Sequence, residues 1–151
     1  MGFKIKTANA NSREIFSLSD ELHKELEDFY GKGIIESFKE ENDEMLTFYV
    51  AYDDNGTAAA CGALKHFDET TAEIKRMYVK PEHRGRGISK KILLKLEQHA
   101  RELHYQRLVL ETGLKQPEAM NLYSKFRYTP IKCYGRHAND PDSRCFEKLI
   151  K

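Results

Sequence analysis

Between Lys80 and Lys91 the chain sets five cationic side chains, Lys80, Arg84, Arg86, Lys90 and Lys91, against one acid, Glu82. Two glycines stand among them, in the run Arg84-Gly85-Arg86-Gly87-Ile88-Ser89. A local excess of positive charge suits an anion. Glycine permits backbone angles and close approaches that a Cβ would block. From Ile88 onward the apolar residues recur at helical spacing, so the loop runs directly into a helix. The first amides of a helix have no partner within it, and the helix dipole adds partial positive charge there. A phosphate or pyrophosphate would be held by those N–H groups, with Arg84, Arg86 and Lys90 around it.

Two familiar phosphate motifs do not fit. A Walker loop needs GxxxxGK[ST], and Gly85 and Gly87 are too close together for it. A dinucleotide fingerprint needs a third glycine where Lys90 stands, and a βαβ setting. The plain alternative is a glycine-containing surface turn with solvated arginines.

The elements that must position this loop are legible in the periodicity. Phe3 to Thr7 alternates as a first strand. Ser12 can cap a helix whose apolar residues are Ile15, Leu18, Leu22, Leu26 and Phe29, with Gly31 and Gly33 to stop it. Ile34 to Glu41 reads as a short second helix. Met45 to Tyr52, Thr57 to Phe67 and Thr71 to Val79 read as a three-stranded meander, its first turn made by Asp53-Asp54-Asn55-Gly56. Pro81 ends it. In the next helix Ile88, Ile92, Leu93, Leu96, Ala100 and Leu103 form the apolar face. Arg107 to Thr112 is a strand whose Leu108-Val109-Leu110 run implies burial on both faces. Pro117 opens a further helix, with Ala119, Leu122, Tyr123 and Phe126 inward. Tyr128 to Tyr134 and Ser143 to Ile150 close the sheet around a polar loop, Gly135 to Asp142. This order predicts a mixed α+β fold with one sheet and helices on its faces.

The 151 residues fit one domain, residues 1–151. With 40% hydrophobic and 32% charged residues the profile is that of a globular chain. No apolar run approaches the roughly 20 residues of a membrane span. The first residues lack the apolar core of a signal peptide, so the expected location is cytoplasmic. The net charge of +1 gives no global reason to expect nucleic acid. Cys61, Cys133 and Cys145 form no zinc pattern and read as free thiols, and no metal is expected.

The run Tyr78-Val79-Lys80-Pro81-Glu82-His83-Arg84-Gly85-Arg86-Gly87-Ile88-Ser89 resembles the acetyl-CoA motif of the GCN5-related N-acetyltransferases (GNAT), [RQ]xxGx[GA] between the fourth strand and the third helix. Arg84 and Gly87 match, and Ser89 stands where glycine or alanine is usual. Asn121-Leu122-Tyr123-Ser124-Lys125-Phe126-Arg127-Tyr128 resembles a second family segment, with Arg127 where a glycine usually closes the helix at positive φ. The element order matches along nearly the whole chain. The resemblance implies a GNAT-like, mostly antiparallel sheet of about six to seven strands flanked by helices. It implies acetyl-CoA as co-substrate, bound by Met77, Tyr78 and Val79 along the pantetheine arm, by Arg84, Gly85, Arg86, Gly87, Ile88, Ser89 and Lys90 at the pyrophosphate, and by Asn121. Tyr123 would stand near the sulfur.

The implied reaction is attack of an amine on a thioester. An alkyl amine of pKa about 10.4 is mostly protonated at pH 7, which costs about 4–5 kcal/mol to reverse, so a base is wanted. Tyr123 is the expected acid for the departing thiolate; a packed core tyrosine is its plain alternative. Glu73 is the expected base, in a segment that resembles the base-bearing strand of the histone acetyltransferase branch. A solvent-facing strand glutamate paired with a lysine is the other reading. Glu111, His66 and His137 follow as candidates. Backbone N–H groups near Met77 are the expected oxyanion donors.

The expected acceptor is a small-molecule primary amine. It would be walled by the Leu26 to Ile35 segment and the Gly135 to Asp142 loop. The alternatives are a protein lysine or N-terminus, met by acids near Glu25, Glu27 and Asp28, and a non-catalytic acyl-CoA-binding module. No nucleic acid and no membrane partner is expected, and a homodimer is left open.

Overall fold

The computed structural model describes residues 2–31, 42 and 44–150, so the short helix expected over 34–41 lies outside the described residues. In chain order the elements are β1 (Lys4–Ala8), α1 (Arg13–Tyr30), β2 (Met45–Tyr52), β3 (Ala58–His66), β4 (Thr71–Val79), α2 (Ile88–Glu102), β5 (Arg107–Gly113), α3 (Pro117–Lys125), β6 (Thr129–Ile131) and β7 (Ser143–Leu149). Single 3-10 turns occupy Pro81–His83 and Gly135–His137. The strands form one sheet in the order β1-β2-β3-β4-β5-β7-β6. Every pairing is antiparallel except β4 with β5.

Local chemistry sets most boundaries. Ser12 Oγ accepts the Ile15 amide at the start of α1, and Gly31 closes it at φ 88°. Asp53 Oδ1 accepts the amides of Asn55 and Thr57 across the β2–β3 turn, with Gly56 at φ 79°. Arg127 takes φ 69° after α3, at the position where the family resemblance placed a glycine. An L-residue there carries roughly 1–2 kcal/mol of strain.

The sheet is covered on both faces. Ile15, Leu18 and Leu22 of α1 pack on Phe48, Val50, Cys61, Ala63 and Tyr78. Ile88, Ile92, Leu93, Leu96 and Ala100 of α2 pack on the other face, against Ala60, Leu64, Ala72, Ile74, Leu108 and Leu110. Each Leu, Ile or Val among them, once buried, contributes about 1.5–3 kcal/mol. Leu108, Val109 and Leu110 are buried, in agreement with the apolar run of β5.

Two features of β4 shape everything that follows. It pairs with β5 only from Thr71–Arg107 to Ile74–Leu110, after which the two strands part. It also bulges where the register with β3 slips between Cys61 and Ala63, with Arg76 at φ 59°. Successive strand residues face opposite sides, and one extra residue inverts that alternation. Ala72 and Ile74 therefore lie on the α2 side, as do Met77 and Val79 after the bulge. Gly62 lies across from the bulge because a Cβ there would come within 2.6 Å of Met77 Sδ and 2.7 Å of Ile92 Cγ2.

The expectation of three free thiols is corrected. Cys133 and Cys145 are joined in a disulfide with Cα atoms 5.1 Å apart, and only Cys61 is free and buried. The β6–β7 register sets Ile131 against Cys145, which brings Cys133 alongside. Among the described residues no helix is long and apolar enough to cross a membrane, and no group of three or more His, Cys, Asp or Glu side chains could hold a metal.

Candidate active site

Where β4 and β5 part, two cavities open into the sheet. The first, about 440 Å³, is lined by Met77, Tyr78 and Val79, by the loop from His83 to Lys90 except Arg86, and by the start of α3. The second, about 600 Å³, is lined by α1, β4, β5 and the loop before β7. They share Met77, Gln116, Ala119 and Tyr123.

The first cavity has the features of an anion and extended-chain site. Lys80 N–H donates to Ala59 O on β3. By strand alternation, Met77 and Val79 then present their N–H and C=O groups to the unpaired edge of β4. Gly85 and Gly87 take φ 81° and 75°. A Cβ at either would meet nothing within 4 Å, so the left-handed backbone, not crowding, calls for glycine. Gly87 caps α2, leaving the amides of Ile88, Ser89 and Lys90 without intrahelical acceptors beside the cavity.

Arg84 is already engaged. Its Nε donates to Val79 O at 2.8 Å and its Nη2 to Glu25 Oε1 at 2.6 Å, while the guanidinium lies 5.6 Å from the Tyr78 ring. Glu21, one turn earlier on α1, accepts the Tyr78 hydroxyl at 3.3 Å and lies 3.6 Å from Lys80 Nζ. The acidic face of α1 thus sits on the cationic loop. Arg86 and Asn121 are exposed and line neither cavity.

Tyr123 stands at the junction. It is 5% exposed, and its hydroxyl has no hydrogen-bond partner among the described residues. Burial, helped by the negative charge of Glu111, pushes its pKa well above the ordinary 10.0, so it holds its proton at any working pH. Tyr128 and Phe146 pack against the ring at 5.6 and 6.3 Å.

The second cavity carries the carboxylates. Glu73 is 7% exposed, which removes the solvent-facing reading; Lys65, opposite it in register, bonds Glu44 at 3.0 Å. Glu73 Oε2 accepts the Tyr134 hydroxyl at 2.8 Å. Glu111 Oε2 accepts Ser143 Oγ at 2.8 Å and lies 3.8 Å from His137 Nδ1. His66 bonds Tyr105 and lines neither cavity.

A bridge crosses between the cavities. Tyr30, at the end of α1, donates to Gln116 Oε1 at 3.5 Å and accepts the Lys115 amide at 3.1 Å, while Lys115 Nζ donates to Phe29 O at 3.0 Å. Gly113 makes room for it, since a Cβ there would overlap the Tyr30 ring. Sequence reasoning singled out neither Gln116 nor Tyr134, and reached Tyr30 only as part of the Leu26 to Ile35 segment. Of the segments expected to wall an acceptor, Leu26 and Tyr30 of α1 and Arg136, His137, Asp140 and Asp142 of the loop line the second cavity, and residues 32–35 lie outside the described residues.

A parted sheet with an open strand edge leading to a glycine-capped helix is suited to an extended chain that ends in a phosphate. The chain belongs to the acetyltransferase (GNAT) family, whose model matches residues 12–128, and it is an acetyl-CoA-dependent acetyltransferase. An uncharacterized N-acetyltransferase, YsnE, of Bacillus subtilis (strain 168) is 32% identical over 107 residues, 70% of each chain. An acetyltransferase of the GNAT family from Staphylococcus aureus Mu50 superposes with a TM-score of 0.82 at 19% identity, over 99% of this chain and 100% of that one. The PaiA N-acetyltransferase of Thermoplasma acidophilum, solved in complex with coenzyme A, gives 0.74 at 19% identity over 99% of each. At these identities the two structural likenesses show the fold.

Proposed function

We propose that residues 1–151 act as one domain that transfers an acetyl group from acetyl-CoA to the primary amine of a small molecule. The observation that carries this reading is the meeting of the two cavities at Met77 and Tyr123. One cavity offers a strand edge and a helix N-terminus to a pantetheine diphosphate. The other, about 600 Å³, is of the size that takes a small ligand.

In this reading the C=O of Met77 and the N–H of Val79 pair with the pantetheine arm as an added strand would, while Val79 O keeps its bond from Arg84 Nε and the Met77 N–H is left for the reacting carbonyl. The amides of Ile88, Ser89 and Lys90 hold the pyrophosphate. The acceptor enters from the Glu73 side. Glu73 takes a proton from the amine, the nitrogen attacks the thioester carbon, and the Met77 N–H donates to the oxyanion that forms. As the carbon–sulfur bond breaks, the Tyr123 hydroxyl donates its proton to the sulfur; the second proton on the nitrogen passes to solvent, Tyr123 regains one from solvent, and Glu73 releases the one it took. No acyl-enzyme is needed, because amine and thioester meet directly.

The test is thermal unfolding with and without acetyl-CoA, since a ligand that binds only the folded state raises the midpoint. A rise that is lost in Gly87→Glu supports the loop assignment, and a panel of amines then follows CoA thiol release. No rise at millimolar acetyl-CoA would sink the assignment. Turnover of lysine peptides with none of small amines would move the acceptor to protein.

A further inference from the structure

Tyr134 is half-buried and does not itself line the acceptor cavity. Its position is fixed from several sides. The hydroxyl donates to Glu73 Oε2 at 2.8 Å. Phe67 meets its ring edge-on at 5.1 Å, and His137 does so at 5.9 Å. The residue before it, Cys133, is bonded to Cys145 of β7, whose strand partner on β5 is Glu111. The segment leaving β6 is thus pinned to the sheet next to the residue that reaches Glu73.

A carboxylate on a strand rotates about its terminal bonds unless one oxygen is held. A hydroxyl bonded to Oε2 selects one rotamer and leaves Oε1 as the oxygen free to receive a proton. We infer that Tyr134 is a positioning residue for the acceptor side of the reaction, holding Glu73 by one oxygen so that the other faces the amine. The inference rests on Glu73 acting as the base, as proposed above. The hydroxyl also remains a donor throughout the working range, because burial and the charge of Glu73 both push its pKa up.

The role is separable from packing. Tyr134→Phe keeps both ring contacts and removes only the donor. Each variant is assayed well below its own thermal midpoint, and kcat and the KM for acetyl-CoA are read for Tyr134→Phe, Glu73→Gln and the double variant. The expected result is a kcat loss of roughly ten- to a hundredfold in Tyr134→Phe. The KM for acetyl-CoA should not change, since Tyr134 is outside the cofactor cavity. The double variant should be no slower than Glu73→Gln alone, since a residue that acts through Glu73 has nothing to position once the carboxylate is gone. An undiminished kcat in Tyr134→Phe beside a slow Glu73→Gln would overturn the inference while leaving the base in place. Losses that multiply in the double variant would also overturn it, by giving Tyr134 a separate role. An undiminished kcat in Glu73→Gln would remove the base and the inference together.

Discussion

Tyr123→Phe isolates the proposed proton donor from everything else that residue does. The ring is 5% exposed and rests on Tyr128 and Phe146, and both contacts survive in phenylalanine. The hydroxyl has no hydrogen-bond partner among the described residues, so removing it leaves no orphaned group. Stability should therefore change by less than about 1 kcal/mol. Catalysis should change far more. Loss of a donor that acts only as charge develops costs about 2.7–4 kcal/mol, or roughly 10²–10³ in kcat. The raised pKa of Tyr123 means that the wild type enters each turnover protonated, so this deficit should be the same at pH 7 and pH 8. Trapping the released CoA thiol with a disulfide dye gives kcat and the KM for acetyl-CoA together, and a thermal melt reports the fold. A kcat within twofold of wild type would refute the assignment. A rise in KM matching the fall in kcat would make Tyr123 a wall of the cofactor site instead.

The remaining predictions address binding and stability. Glu25→Gln frees the Arg84 guanidinium from its 2.6 Å ion pair and should tighten acetyl-CoA by up to about fivefold, the measure of a partly exposed pair; weaker binding in calorimetry would mean that Glu25 orders the loop. Reducing Cys133–Cys145, which are 12 residues apart, should cost about 3 kcal/mol and lower the midpoint by roughly 6–12 °C. Cys133→Ser should melt at that lower temperature with or without dithiothreitol, and identical melts of the wild type in both conditions would show the thiols to be unjoined.

What could be read from the chain was whatever its neighbours in sequence decide. Ser12, Gly31, the Asp53 turn and Pro117 set boundaries through bonds spanning a few residues, and their placements hold. The loop from Arg84 to Lys90 was legible for the same reason, since its glycines, charges and helix start are contiguous. The features that escaped depend on partners far along the chain. The bulge at Arg76 shows only once β3 is laid beside β4, and it decides which face Met77 and Val79 take. The disulfide follows from the β6–β7 register, and neither cysteine sits in a recognisable motif. Glu73 looked equally like a surface strand residue, because a single glutamate carries no trace of the tyrosine 61 positions away that covers it. Tyr30 and Gln116 meet across 86 positions, from a helix end and a loop with no period of their own.

The short β4–β5 pairing has a consequence for how the molecule comes apart. A sheet of seven strands is joined at its middle by a seam of only four residue pairs, Thr71–Arg107 to Ile74–Leu110, with β1 to β4 on one side and β5 to β7 on the other. The bridge from Tyr30 to Lys115 and Gln116 is a second tie between these halves. Such a seam is where sub-global opening is least costly. Amides of the four pairs should exchange with deuterium faster than those of the β2–β3 ladder. A substrate that spans the gap would slow them, so that the parting proposed to admit the reactants would also make the two halves depend on those reactants for part of their cohesion.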